Sequence, residues 1–255
     1  MSEVITEVVS EKEDTPSPET GKDSWSYQKF TNRILSQAKF KEYIPQEELP
    51  GDISIGRSNS ENKLSLGQEL ARLILRTDSK QGEWPREWGR LILADMGSRR
   101  LTVDQAGSGD SRTLVLLHRK KEFPFVGVMH AHPSPKDKQE IFLNKLSEKR
   151  TVSKEDAPLR KSASDYYFSP EDLVNFILDA SCQFDLLGHK NRLLMALKTD
   201  KTPLLTKDGL IAMLKEIYMS IPTGNEAFRK ACDELGIALY AGKLSGQDKF
   251  VLKRI

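Results

Sequence analysis

From Leu64 onward, apolar residues recur along the chain at two different periods. In "LSLGQELARLILRTDS" (64–79), Leu66, Leu70, Leu73 and Ile74 fall on one side of a helix, with Ser65 as candidate N-cap. "RLILAD" (90–95) and "LTVDQ" (101–105) read as strands around the turn "MGSRR". "TLVLLHRK" (113–120) and "FPFVGVMH" (123–130) read as two more. "SPEDLVNFILDAS" (169–181) is a well-marked helix: Ser169 is a candidate N-cap, Pro170 occupies the first helical position and acids fill the first turn. "NRLLMALKTD" (191–200) predicts a strand, residues 206–221 and 225–236 predict helices, and 237–255 predicts one or two closing strands. The fold class this order implies is α+β, a mixed β-sheet flanked by helices.

Elsewhere the pattern breaks down. Residues 1–24 are acidic, carry Pro16 and Pro18, and read as a disordered tail. Residues 25–63 read as an N-terminal helix and linker: Tyr27, Phe30, Ile34, Leu35 and Phe40 approximate helical spacing and could dock on a domain. "IPQEELPGDISIGRSNSENK" (44–63) reads as a connecting loop. The organised domain is expected over 64–255, with a charged insertion at about 134–168 that interrupts the strands and holds one short helix around "KQEIFLNKLSEK".

Composition narrows the class. The chain has 255 residues, 38% hydrophobic and 30% charged, which suits a soluble globular protein. It shows neither a membrane-length apolar run nor a basic-then-apolar leader pattern, so no membrane partner and a cytoplasmic location are expected. Residues 1–24 hold seven acids and two lysines, a net −5, which leaves +7 on the rest of a chain whose total is +2. Acids and bases are interleaved there, without the concentrated basic stripe of a nucleic-acid binder, so no nucleic-acid partner is expected. Cys182 and Cys232 stand fifty residues apart without a CxxC partner and read as small buried apolar residues.

The candidate chemistry centres on "FVGVMHAHP" (125–133). Side chains at i and i+2 of a strand point the same way, so His130 and His132 present two imidazoles to one side, close enough to share an ion. Zinc commonly takes histidine nitrogens with a carboxylate and keeps one position for water in a catalytic site. An HxH pair by itself is more often two ordinary surface or hydrogen-bonded histidines. His118 and His189 illustrate that case, at a strand end and in a "GHKN" turn, and are given no role.

The context of the pair is more specific. "GVMHAHP", the later "SPED" and the earlier "EWGRLIL" together resemble the signature of the JAMM (JAB, or MPN-plus) zinc metalloproteases. That signature is a glutamate ahead of a glycine-containing apolar strand, then HxHP, then SxxD opening a helix. The likeness covers roughly 64–200. It implies a JAMM/MPN-like, cytidine-deaminase-like core and one Zn2+ per chain held by His130, His132 and Asp172. It also implies Glu87 as the proton carrier and Ser169 as a hydrogen-bond donor to the developing oxyanion.

The implied reaction is hydrolysis of a peptide or isopeptide bond, with a protein or peptide substrate such as a ubiquitin-like tail. One departure stands out: thirty-nine residues separate His132 from Asp172, where the family has a short gap. Loop closure costs grow only logarithmically with length, so an insertion there is compatible with an intact site. Asp165 and Asp137 compete with Asp172, and Glu83 and Glu69 compete with Glu87. Asp172 is preferred because Ser169 and Pro170 define a rigid helix start. A catalytically inactive MPN-type scaffold and a RadC-like DNA-associated domain are the alternative readings; Ala131 between the histidines and the long gap both speak against the RadC pattern.

Overall fold

The computed structural model describes residues 24–56, 66–78, 87–108, 114, 116–132, 168–221, 224–243 and 249–255. Five helices are numbered in chain order: α1 (Tyr27–Phe40), α2 (Leu66–Asp78), α3 (Pro170–Leu178), α4 (Lys207–Ser220) and α5 (Gly224–Glu234). Ten strands are numbered likewise: β1 (Ser24–Trp25), β2 (Asp52–Gly56), β3 (Trp88–Asp95), β4 (Arg100–Val103), β5 (Gly107–Ser108), β6 (Phe125–Ala131), β7 (Phe184–His189), β8 (Arg192–Lys198), β9 (Ile237–Lys243) and β10 (Lys249–Arg254). They form one mixed sheet in the order β1-β2-β10-β9-β8-β7-β6-β3-β4, with β5 also on β3. Two neighbouring pairs run parallel, β1 with β2 and β6 with β7.

Strand alternation divides the core into two layers. Met129 and Ala131 of β6, with Phe184 and Leu186 of β7, pack with Phe30 and Ile34 of α1 and with Leu70, Leu73 and Ile74 of α2. Leu187 of β7 and Leu194 and Ala196 of β8 pack with Leu173, Phe176 and Ile177 of α3, Leu210 and Leu214 of α4, and Phe228 of α5. The period of two therefore sends His130 to the second face, the one covered by α3. α2 lies so close to β7 that a Cβ on Gly188 would stand 2.7 Å from Ile74 Cδ1, which is why a residue without a side chain sits there.

Several expectations change. The loop expected over 44–63 contains, in its described part, the strand β2, which pairs with β10; Ile53 is fully buried there. Five residues between Gly51 and the polar run after Gly56 give too short a pattern to read as alternation. α1 docks as its spacing suggests, and Phe30 and Ile34 are inaccessible to solvent. β7 is not legible in the sequence because Asp185, Gly188 and His189 interrupt its apolar run, although all six of its residues are buried. His189 is consequently the last residue of β7, buried, and not part of a turn. The tail before Ser24, most of the 134–168 insertion and its expected helix lie outside the described residues.

The strand expected at 113–120 is also absent among its described residues, and Asp104 supplies the reason. Its carboxylate accepts the N–H groups of Gln105 at 2.7 Å, Arg119 at 2.7 Å and Lys120 at 3.2 Å. Backbone donors that a strand would use in a ladder are spent on one side chain. His118 Nε2 lies 3.1 Å from Lys120 O and 2.9 Å from Phe123 O and latches the following turn. Burial pushes the Asp104 carboxyl up, but those three N–H groups and the Lys120 ammonium outweigh it and hold the carboxyl below its ordinary value. A lowered folded-state pKa stabilises the fold above the unfolded value and ceases to do so as pH falls through the folded one. Asp104→Ala is expected to cost about 1–3 kcal/mol at neutral pH. In urea melts that deficit should shrink as pH is brought below 4.

Candidate metal centre

β6 runs antiparallel to β3 and pairs Gly89 with His130 and Trp88 with Ala131. Opposed residues face the same side of a sheet, so Glu87, one residue before β3, comes alongside His132. Glu87 Oε1 is 3.8 Å from His132 Nε2. The glycine of "EWG" has its own role. A Cβ on Gly89 would stand 2.9 Å from Met129 O and 3.3 Å from His130 Cβ, so glycine lets the two strands approach behind the imidazole. Gly89→Ala is expected to lower stability by about 1–3 kcal/mol, since the backbone oxygen has to shift. A thermal melt checks this.

The third group arrives from α3. Ser169 and Asp172 form a reciprocal capping box: Ser169 Oγ accepts from Asp172 N at 3.1 Å, and Asp172 Oδ2 accepts from Ser169 N at 2.7 Å. That exchange fixes the direction of the carboxylate. The same Oδ2 lies 3.7 Å from His130 Nε2 and 3.7 Å from His132 Nε2. At its other end α3 is held by Lys198, whose Nζ donates to Ile177 O at 3.3 Å and Asp179 O at 2.7 Å; burial pushes this amine down to about 8.

His130, His132 and Asp172 together form a group that can hold a metal ion, their nearest ligand atoms all within 4.8 Å of one another. Donor atoms around a tetrahedral zinc at about 2.0–2.1 Å stand about 3.4 Å apart, so the two histidine-to-Asp172 separations of 3.7 Å need only small side-chain adjustments. His130 Nε2 is buried without a hydrogen-bond partner, the condition a ligand nitrogen would satisfy by binding a cation. The side chains of His130 and His132 are 4% and 6% exposed, while that of Asp172 is 24% exposed, so the group opens to solvent on its α3 side.

Electrostatics also favour positive charge here. Burial pushes the His130 imidazole down, yet the carboxylates of Asp185 and Asp172 outweigh it and hold it well above the ordinary histidine value. Burial pushes Asp172 up, and the two histidines more than reverse this and hold its carboxyl well below the ordinary range.

All three residues that the signature implies as ligands meet in space, with Glu87 beside them and Ser169 at the helix start. Among the rivals, Glu69 is committed elsewhere, 3.7 Å from Arg90 Nε and 3.9 Å from Arg72. Glu83, Asp137 and Asp165 lie outside the described residues. Both cysteines are free thiols, buried as their spacing suggested. One residue escaped the sequence reading altogether: Asp185 of β7, whose Oδ1 is 3.2 Å from His130 Nδ1. An isolated acid inside "CQFDLLGH" could have signalled it, because a charge on a fully buried strand needs a partner. None of the described helices is long and apolar enough to cross a membrane. Comparison with protein-family models, curated proteins and solved structures found no match to this chain.

Proposed function

We propose that this chain is a zinc-dependent hydrolase of peptide or isopeptide bonds in the manner of the JAMM enzymes. The observation that carries the reading is the convergence of His130, His132 and Asp172 with Glu87 facing the same space. His130, His132 and Asp172 would hold the ion, and zinc bound there would supply Lewis acidity and make water a nucleophile at neutral pH, where free water is not.

The chain's own groups divide the remaining work. The Glu87 carboxylate takes the proton of the attacking water and delivers it to the leaving amine as the C–N bond breaks and the C–O bond forms. Ser169 Oγ accepts from Asp172 N, so its own O–H is available to donate to the carbonyl oxygen as charge develops on it. Phe168, its ring centroid 5.7 Å from that of His130, shields one side of the imidazole from water.

The substrate of this proposal is an extended protein tail of ubiquitin-like type. The test is hydrolysis of a ubiquitin-like domain carrying a C-terminal amide or isopeptide extension, followed before and after chelation. Cleavage that is lost with the metal and restored by zinc supports the reading. A zinc-loaded protein that leaves all such substrates intact would overturn it in favour of a scaffold.

A further inference from the structure

The signature leaves His130 Nδ1 without a stated partner. Asp185 is its nearest carboxylate, on the strand next to His130. β6 and β7 are parallel and in register at Val128 with Asp185 and at His130 with Leu187, so the Asp185 side chain leaves β7 on the His130 face, one residue pair back. Its Oδ1 reaches to 3.2 Å from Nδ1, while Nε2 on the opposite side of the ring points towards Asp172 Oδ2. Both partners are buried, with side chains 4% and 7% exposed. Oδ1 has no partner in full hydrogen-bond geometry, a costly state for a carboxylate in a core layer, and His130 Nδ1 at 3.2 Å is the donor that a small reorientation of the ring would bring to it.

We infer that Asp185 is a positioning residue for the metal centre: it holds a proton on His130 Nδ1, fixing the tautomer that leaves Nε2 free of hydrogen and aimed at the ion. The inference rests on the proposed metal site and adds to it the group that orients one ligand. Imidazole ligands commonly donate their second N–H to a carboxylate, and loss of such a partner typically weakens metal binding about 10–100-fold.

The chemistry of substitution distinguishes orientation from mere packing. Asp185→Ala removes the acceptor. Asp185→Asn keeps the volume but can turn an N–H toward Nδ1, which moves the ring proton to Nε2, the atom needed for the ion. Asn is therefore expected to be at least as harmful as Ala, the reverse of what a packing role would give.

The experiment combines zinc affinity, measured by competition with a chelator, with side-chain 15N–1H spectra of the histidines in the full chain. In wild type, a slowly exchanging proton on His130 Nδ1 is expected with and without zinc. Zinc affinity is expected to drop about 10–100-fold in Asp185→Asn and Asp185→Ala, with unchanged circular dichroism. A rapidly exchanging or missing Nδ1 proton in wild type overturns the inference and needs no variant to fold. So does an affinity within twofold of wild type in both variants. A wild type that binds no zinc overturns the metal reading, and the Nδ1 proton then still decides whether Asp185 orients His130.

Discussion

Substituting His130→Ala and His132→Ala together is expected to abolish zinc binding, taking a purified protein from about one zinc per chain to none. The two imidazoles supply two of the three donors, and Asp172 alone, 24% exposed, is an ordinary helix-capping acid. Elemental analysis of wild type and variant reads the result directly. Alanine at these positions leaves a cavity on the α3 face and deprives the buried Asp185 carboxylate of His130, so the variant is expected to lose stability. Circular dichroism beside wild type establishes that it is folded when its zinc is counted. Binding is also expected to weaken as pH falls. His130 is held well above its ordinary pKa by Asp185 and Asp172 against the opposing effect of burial, so protons compete with the metal for it, and raising pH favours the ion. Wild type without zinc after supplementation would mean that the three side chains meet for structural reasons alone.

Glu87→Gln is expected to separate binding from chemistry. Glu87 approaches His132 at 3.8 Å but lies outside the three-residue group, so zinc should stay at about one per chain. Hydrolysis should fall about 10²–10⁴-fold, the usual contribution of a positioned proton carrier. The glutamine is nearly isosteric and accepts hydrogen bonds through its amide oxygen, but it cannot take a proton at neutral pH. Single-turnover kinetics on a ubiquitin-like tail substrate would report the loss in the chemical step. Unchanged rates would remove Glu87 from the mechanism, and loss of zinc would make it a ligand.

Much of the site could be read in the chain because its spacing rules are local. HxH places two rings on one side of any strand, and SxxD places a reciprocal cap at any helix start. "SPED" illustrates the limit of that logic. A capping box and a carboxylate ligand require the same residues at the same spacing, and Asp172 is in fact both hydrogen-bonded to Ser169 N and turned toward the histidines. Only the distance to β6 distinguishes a ligand from a cap. Glu87 and Glu69 likewise differ only through neighbours far along the chain, Glu87 lying 3.8 Å from His132 and Glu69 3.7 Å from Arg90.

By itself, then, the sequence determined the amphipathic helices, the strands β3, β4 and β6, the paired direction of His130 and His132, and the capped start of α3. Each depends on contacts within a few residues, where backbone periodicity is decisive. The tertiary structure decided the rest. It put β2 into the sheet, revealed β7 between two covered faces, drew the segment around His118 onto Asp104, and brought Asp185 against His130. Those outcomes depend on which strand lies beside which, and strand order is set by burial of the whole chain, about which a local pattern carries no information.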